Sequence, residues 1–297
     1  MCRHGELGNG PSAGMERRGL LMSKARFEVR FWGVRGSIAC AGRQFDGFGG
    51  NTPCIEMRIG DHVLVFDAGS GARALGPQLI RDGIKAFDLF FSHCHYDHIE
   101  GIPFFDPLYR PDMNVTVWSG HHVDGSTTED MLKQFMQAPF FPVGPEVFRA
   151  KLDCRTFHAG ETLDPYPDVH IRTARLRHCN GSVGYRVEHN GKAVCYVTDT
   201  EHPETGLDES IIDLIRDADV VIYDAMYTPE EYEATRGFGH STWVQGVALC
   251  KAANAKQLVL FHHNPRHDDD ALAAIEAQAS ECRPGTIAAR EGMALSV

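Results

Sequence analysis

No stretch of the 297-residue chain approaches the ~20 consecutive apolar residues that a membrane helix requires. A secretory leader is not visible either: Arg3, Arg17 and Arg18 are followed only by a short apolar patch at residues 20–22. The chain is therefore expected to stay in the cytoplasm and away from membranes. The nine cysteines are scattered, and no C-x-x-C pair occurs among them, which argues against a zinc ribbon and fits reduced thiols. Cys94 and Cys179 adjoin candidate metal ligands and are expected to pack as small hydrophobes instead of binding metal. Positive charge is in short supply as well. Twenty-nine Lys and Arg stand against 40 Asp and Glu, for a formal charge of −11. Proteins that grip long nucleic acids usually present a basic face, so a large polyanionic partner is disfavoured.

What the chain does have is apolar runs in regular rotation with helical segments. Residues 1–26 are rich in Gly and Arg without a sustained apolar period, and are expected to be a disordered tail; Met15 and Met22 are alternative starts. From Phe27 to Val297 no linker interrupts the text, which predicts one layered domain. FEVRFWG alternates as a strand, then CIEMRI and HVLVFD form a hairpin about Gly60-Asp61. SGARALGPQLIRDG reads as a helix and FDLFFSH as a buried strand. NVTVWS (strand), TTEDMLKQFMQ (helix) and VHIRTARLRH (strand) continue the rhythm. A hairpin about Asn190-Gly191 follows, and then the strands DVVIYDA and KQLVLFHH with helices between and after them.

Four of these apolar strands end in His or Asp: His93, His178, Asp199 and His262. A single such ending can be turn chemistry. The segment Ser92-His93-Cys94-His95-Tyr96-Asp97-His98 cannot be dismissed that way, because it crowds three histidines and an aspartate into six residues. Neutral imidazoles and carboxylates are the ligands that zinc and similar divalent ions accept. In an extended strand end, His93 and His95 point the same way and are candidates to clasp one ion. A turn then redirects Asp97 and His98 toward a second.

This H-x-H-x-D-H segment resembles the signature of the metallo-β-lactamase superfamily, and the likeness runs over about residues 27–282. It implies a four-layer αββα sandwich, two mixed sheets face to face with helices outside. It implies two divalent ions, zinc being the expected metal and manganese or iron the alternatives. His93, His95 and His178 match the ligands of the first ion, and Asp97, His98 and His262 those of the second. Asp199 matches the aspartate that bridges both, and Asp67 one that supports the metal loop. His263 is an alternative to His262. A bridging aspartate is similar to the phosphodiesterase branch, which includes ribonuclease Z and cyclic-phosphate phosphodiesterases. The Gly239-His240-Ser241-Thr242 motif after Asp224 points to the same branch. The resemblance implies that His240 protonates the leaving oxygen, that Asp224 orients His240, and that Asp97 also steers the nucleophile. A long basic arm for gripping tRNA is not found, so a small phosphodiester such as a cyclic nucleotide is expected, with a homodimer allowed. A lactonase, thioesterase or arylsulfatase, or a ribonuclease Z-like nuclease, is the alternative.

Two further readings concern the loops. Phe104, Phe105, Tyr109, Phe140 and Phe141 are candidates to wall a stacking pocket, or equally to be core or dimer contacts. Arg35, Ser37 and Asn51 are candidates for phosphate contacts, although tight glycine turns explain their loops as well.

Overall fold

The computed structural model describes residues 26–297; the expected tail, Arg26 apart, lies outside them. Among the described residues, fourteen strands fall into two seven-stranded sheets. The first holds β1 (Phe27–Gly33), β2 (Cys54–Ile59), β3 (His62–Phe66), β4 (Ala86–Phe91), β5 (Asn114–Ser119) and β6 (Lys151–Thr156). The second is built from β7 (Thr162–Tyr166), β8 (Val169–Leu176), β9 (Ser182–His189), β10 (Lys192–Val197), β11 (Val220–Asp224), β12 (Gln257–Phe261) and β13 (Ile287–Ala288). Strand β14 (Ala294–Ser296) returns to the first sheet. The orders are β14-β1-β2-β3-β4-β5-β6 and β13-β12-β11-β10-β9-β8-β7. Each sheet is half parallel and half antiparallel: β3 to β6 run parallel, as do β10 to β13.

Strand alternation explains the layering. Along β3, Leu64 and Phe66 face the other sheet, while Val63 and Val65 face helices. Along β12, Val259 and Phe261 face inward, and Leu258 and Leu260 outward. Both faces are buried, which is why these strands read as unbroken apolar runs. The central layer interlocks through aromatic rings, with Phe66 lying 5.3 Å from Tyr185 and 5.9 Å from Tyr196. Helices Ala72–Arg81 and Thr128–Phe135 cover the outside of the first sheet. Helices Glu209–Ile215, Trp243–Ala252 and Asp269–Cys282 cover the second. This is the αββα sandwich that the sequence led us to expect.

The topology decides where chemistry collects. Strands β3, β4, β8, β10, β11 and β12 all deliver their C-terminal ends to one edge of the sandwich, because β8 is antiparallel to β9 and β9 to β10. In open α/β sheets this is the edge where loops carry function.

Candidate metal centre

Each strand end contributes one side chain to that edge. Asp67 follows β3, His93 follows β4, His178 follows β8, Asp199 follows β10 and His262 follows β12. The short helix Tyr96–Ile99 contributes Asp97 and His98. These side chains converge into two groups of donor atoms: His93, His95 and His178, and Asp97, His98, Asp199 and His262. Asp199 faces both. Its Oδ1 lies 3.7 Å from His93 Nε2 and 3.8 Å from His178 Nε2. Its Oδ2 lies 3.2 Å from His98 Nε2 and 3.3 Å from His262 Nε2.

The donor set fits divalent ions on three observations. In the second group His98 Nε2 and His262 Nε2 are 3.2 Å apart, and Asp97 Oδ2 lies 3.3 and 3.2 Å from them. Those separations match the edge of a tetrahedron of ligands at bonds of ~2.0–2.1 Å. Second, His93 Nε2 is buried with no partner among the described residues, which is costly unless something else satisfies it. Third, the carboxylates of Asp67, Asp97, Asp199 and Asp224 are all buried, and among the described residues they pair with histidines and with no lysine or arginine. Burial pushes His93, His95 and His178 below the usual imidazole range, which leaves them neutral, as metal ligands must be. Burial opposes charge on Asp97 and Asp199 too, but the surrounding imidazoles overcome it and hold both well below the carboxylate range. Burial likewise opposes charge on His98, yet Asp199, Asp97 and Asp67 drive it well up, the mark of negative charge awaiting a cation.

The supporting contacts fix which ring nitrogen faces inward. Asp67 Oδ2 bonds His98 Nδ1 at 2.8 Å, which turns Nε2 toward the centre. Asp67 is itself held by the Ser92 amide (2.7 Å), the Ser92 hydroxyl (2.8 Å) and Tyr196 Oη–H (2.7 Å). His178 Nδ1 bonds the Gly239 carbonyl at 2.8 Å. A side chain on Gly239, whose φ is +83°, would lie 2.4 Å from that same Nδ1, so only glycine fits. Gly36 is pressed equally close to the His262 ring.

His240 sits beside the centre, its ring stacked on His262 at 5.0 Å. Its Nδ1 bonds Asp224 Oδ2 at 3.0 Å, and Asp224 is anchored by the amides of Thr200 (3.2 Å) and Met226 (3.1 Å). Burial works against its charge, but Asp224, Asp199 and Asp97 outweigh this and push His240 up to about 9. His263 is turned away, with Nε2 bonded to the Ala289 carbonyl at 2.9 Å.

The structure corrects one reading of the loops, the packing of two cysteines, and favours one side of the alternatives left open for the others. Cys94 and Cys179 are exposed and do not pack as core hydrophobes; neither joins a donor group among the described residues. The local reason is that each flanks an inward-facing histidine and so points outward. Phe105 is core, 5.5 Å from Phe87, and Tyr109 packs on Phe148 at 5.3 Å. Phe140 is 82% exposed, and Phe104 and Phe141 face each other at 6.3 Å, so the five rings form no common pocket wall. Arg35 is fully buried and donates to the carbonyls of Gly49, Asn264 and His267, so it is unavailable for phosphate. Asn51 bonds Glu291, and the Ser37 amide donates to Asp97 Oδ2 at 2.7 Å.

Sequence reasoning missed Tyr196, which holds Asp67, and Glu201, whose Oε2 accepts from the Gly239 amide at 3.1 Å. The only signal for Glu201 was its place two residues after Asp199, and Tyr196 carried none.

Fold and site together define a metal-dependent hydrolase of the metallo-β-lactamase type. The chain belongs to the beta-lactamase superfamily, whose domain model matches residues 62–263. It is 23% identical to ribonuclease Z of Archaeoglobus fulgidus over 91% of this chain and 98% of that protein. It is 30% identical to ribonuclease Z of Lactobacillus helveticus over 80% and 89% of the two. Among solved structures, the metallo-beta-lactamase fold protein YhfI of Bacillus subtilis superposes with a TM-score of 0.71 at 18% identity, covering 92% of this chain and all of that one.

Proposed function

We propose that the protein is a dinuclear phosphodiesterase acting on a small phosphodiester, with zinc as its metal and the cytoplasm as its compartment. The observation that carries this is the bridging posture of Asp199, one carboxylate oxygen toward each donor group, beside the His240–Asp224 pair. His93, His95, His178 and Asp199 would hold one ion, and Asp97, His98, His262 and Asp199 the other. All donors come from one chain. Two ions held there would make a nucleophile available from water near neutral pH and would offset the charge building on the phosphate oxygens.

The chain's own residues do the rest. Asp97, held by the Ser37 amide, offers a fixed carboxylate next to the attack site. Asp224 accepts from His240 Nδ1–H, and no hydrogen bond to the described residues occupies Nε2, which is the atom that gives a proton to the leaving oxygen. Asp199 and His178 also approach His240, but its bond to Asp224 favours an acid over a ligand. The acidic charge of −11 favours a small substrate, and the described cysteines are free thiols, in keeping with a reducing compartment. No helix of the described residues is long and apolar enough to cross a membrane. The ribonuclease Z relatives favour a second reading, an RNA-processing nuclease.

The test is metal analysis with an assay on bis(p-nitrophenyl) phosphate, cyclic nucleotides, a precursor tRNA, a p-nitrophenyl ester and a lactone. About two ions per chain, with diesterase activity lost in Asp199→Ala, is the expected result. Cleavage of the tRNA precursor at the highest kcat/KM selects the nuclease reading. Ester or lactone turnover with no diesterase activity overturns both.

A further inference from the structure

The diesterase reading leaves open what hangs on either side of the phosphorus. Two cavities of unlike chemistry flank the centre. One, of about 510 Å³, is lined by Arg177, Glu201, His202, Arg236 and Gly239, so it opens beside His240. The other, of about 430 Å³, begins at Cys94 and Tyr96, on either side of His95, and reaches His121, Met131 and Phe135.

The second cavity is built for a ring. Tyr96, 68% exposed, stands with its ring 6.3 Å from that of Phe135, and Ile99 and Met131 supply apolar walls. Two imidazoles interrupt this apolar lining. His122 is fixed between the hydroxyls of Ser119 (2.6 Å) and Ser126 (3.0 Å). His121, only 4% exposed, lies 4.2 Å from the His122 ring, and its Nδ1 has no hydrogen-bond partner among the described residues. Burial pushes His121 down to about 3, so at neutral pH it is an uncharged donor and acceptor in one ring. Aromatic walls with a few convergent polar groups are the usual lining of a small-molecule site, and the volume lies within the usual ~300–1,000 Å³.

We propose that this cavity is the subsite for a nucleobase-sized heteroaromatic ring on the half of the diester that keeps the phosphorus. The inference rests on the diesterase reading. His240 protonates the leaving oxygen, so the leaving half lies on its side, in the charged cavity beside Gly239. The retained half then extends past His95, where Tyr96 and Phe135 offer faces for stacking and His121, backed by the hydroxyl-held His122, offers a hydrogen bond to a ring heteroatom. Stacking of a base on an aromatic side chain is worth about five- to a hundredfold in affinity.

The experiment compares adenosine 5′-monophosphate with ribose 5-phosphate, both as inhibitors of bis(p-nitrophenyl) phosphate hydrolysis and as ligands in calorimetry of the metal-loaded protein. The expected result is that the nucleotide binds about tenfold tighter or more, and that Phe135→Ala and Tyr96→Ala each remove most of that preference without changing ribose 5-phosphate binding. Tyr96 is exposed, so its variant guards against a folding defect in the other. Equal binding of the two ligands by the parent, or a preference that survives both substitutions, overturns the proposal. Without any diesterase activity, calorimetry still decides: a nucleotide preference lost in the variants sustains the subsite while the diesterase reading falls, and its absence overturns the subsite.

Discussion

Glu201 holds the loop of His240, the proposed general acid, without itself touching the reacting atoms. Its Oε1 accepts from the amide of Gly237 (2.7 Å) and from Tyr232 Oη–H (3.0 Å), and its Oε2 from the amide of Gly239 (3.1 Å). Gly239 in turn holds His178 Nδ1 through its carbonyl and precedes His240 in the chain. Glu201 is therefore a positioning residue for the loop that carries His240, the proposed acid. Hydrogen bonds to a charged acceptor contribute about 1.5–3 kcal/mol when shielded. Glu201 is part-exposed, so about 1 kcal/mol each is the fair figure after screening, or roughly 2–3 kcal/mol for the three. With each 1.36 kcal/mol worth about tenfold in rate, Glu201→Ala should lower kcat by about 30–160-fold on an alkyl diester.

On bis(p-nitrophenyl) phosphate the loss should stay within about fivefold, because p-nitrophenolate departs with little help from an acid. Glu201→Gln should lie between: its carbonyl still serves Gly237 and Tyr232, but its amide meets the Gly239 N–H donor to donor. Metal content should be unchanged in both variants. Equal losses on the two diesters, or a fall in metal content, would refute the positioning argument and leave a general structural role. No loss on either substrate would refute the loop's dependence on Glu201 altogether.

Two further substitutions separate chemistry from scaffold. His240→Ala should keep its metals yet lose about 10²–10⁴ in kcat on unactivated diesters; rates equal to the parent's in a steady-state assay would remove His240 from the acid role. Arg35→Leu strands the carbonyls of Gly49, Asn264 and His267 inside the protein. It should destabilise the fold by about 3 kcal/mol or more, seen by calorimetry as a Tm roughly 6–12 °C lower. An unchanged Tm would show that water or a shifted loop satisfies those carbonyls.

The sequence made the centre legible because its ligands end apolar strands, and each strand buried on both faces is an unbroken apolar run. The strands it failed to reveal are β6, β7, β13 and β14, the four sheet edges. Edge strands have less to bury: β6 carries no fully buried residue, and β7 even accommodates Pro165, as an edge can. The helix Pro229–Thr235 also escaped, although its Thr228–Glu231 capping box and Pro229 at the first helical position were readable. Strand ends were drawn too long, since β4 stops at Phe91 and β8 at Leu176, two residues short of the histidines. The candidate ligands lie in the turns after the strands and in the short helix Tyr96–Ile99, where no periodicity marks them. The supporting contacts were less legible still. That Tyr196 would reach Asp67 across the two sheets depends on a sheet-to-sheet packing that no local pattern encodes.

The backbone at those turns supplies the last step in choosing between His262 and His263. Asp67, Asp199 and His262 all adopt left-handed conformations, with φ of +59°, +55° and +59°. For a residue with a Cβ this costs about 1–3 kcal/mol and persists where the surroundings enforce it, typically at functional sites. Glycine would relieve the strain but bring no side chain, whereas Asp and His tolerate this region better than most. A strand end that must turn sharply and still present a ligand is thus confined to a few residue types. His262 meets that condition and faces Asp97 and Asp199. His263 does not: its Nε2 is committed to Ala289, and burial pushes its ring down to about 3, so it stays neutral and structural. The strained residue is thus the one placed to serve as the proposed ligand, and its relaxed neighbour holds the chain behind it.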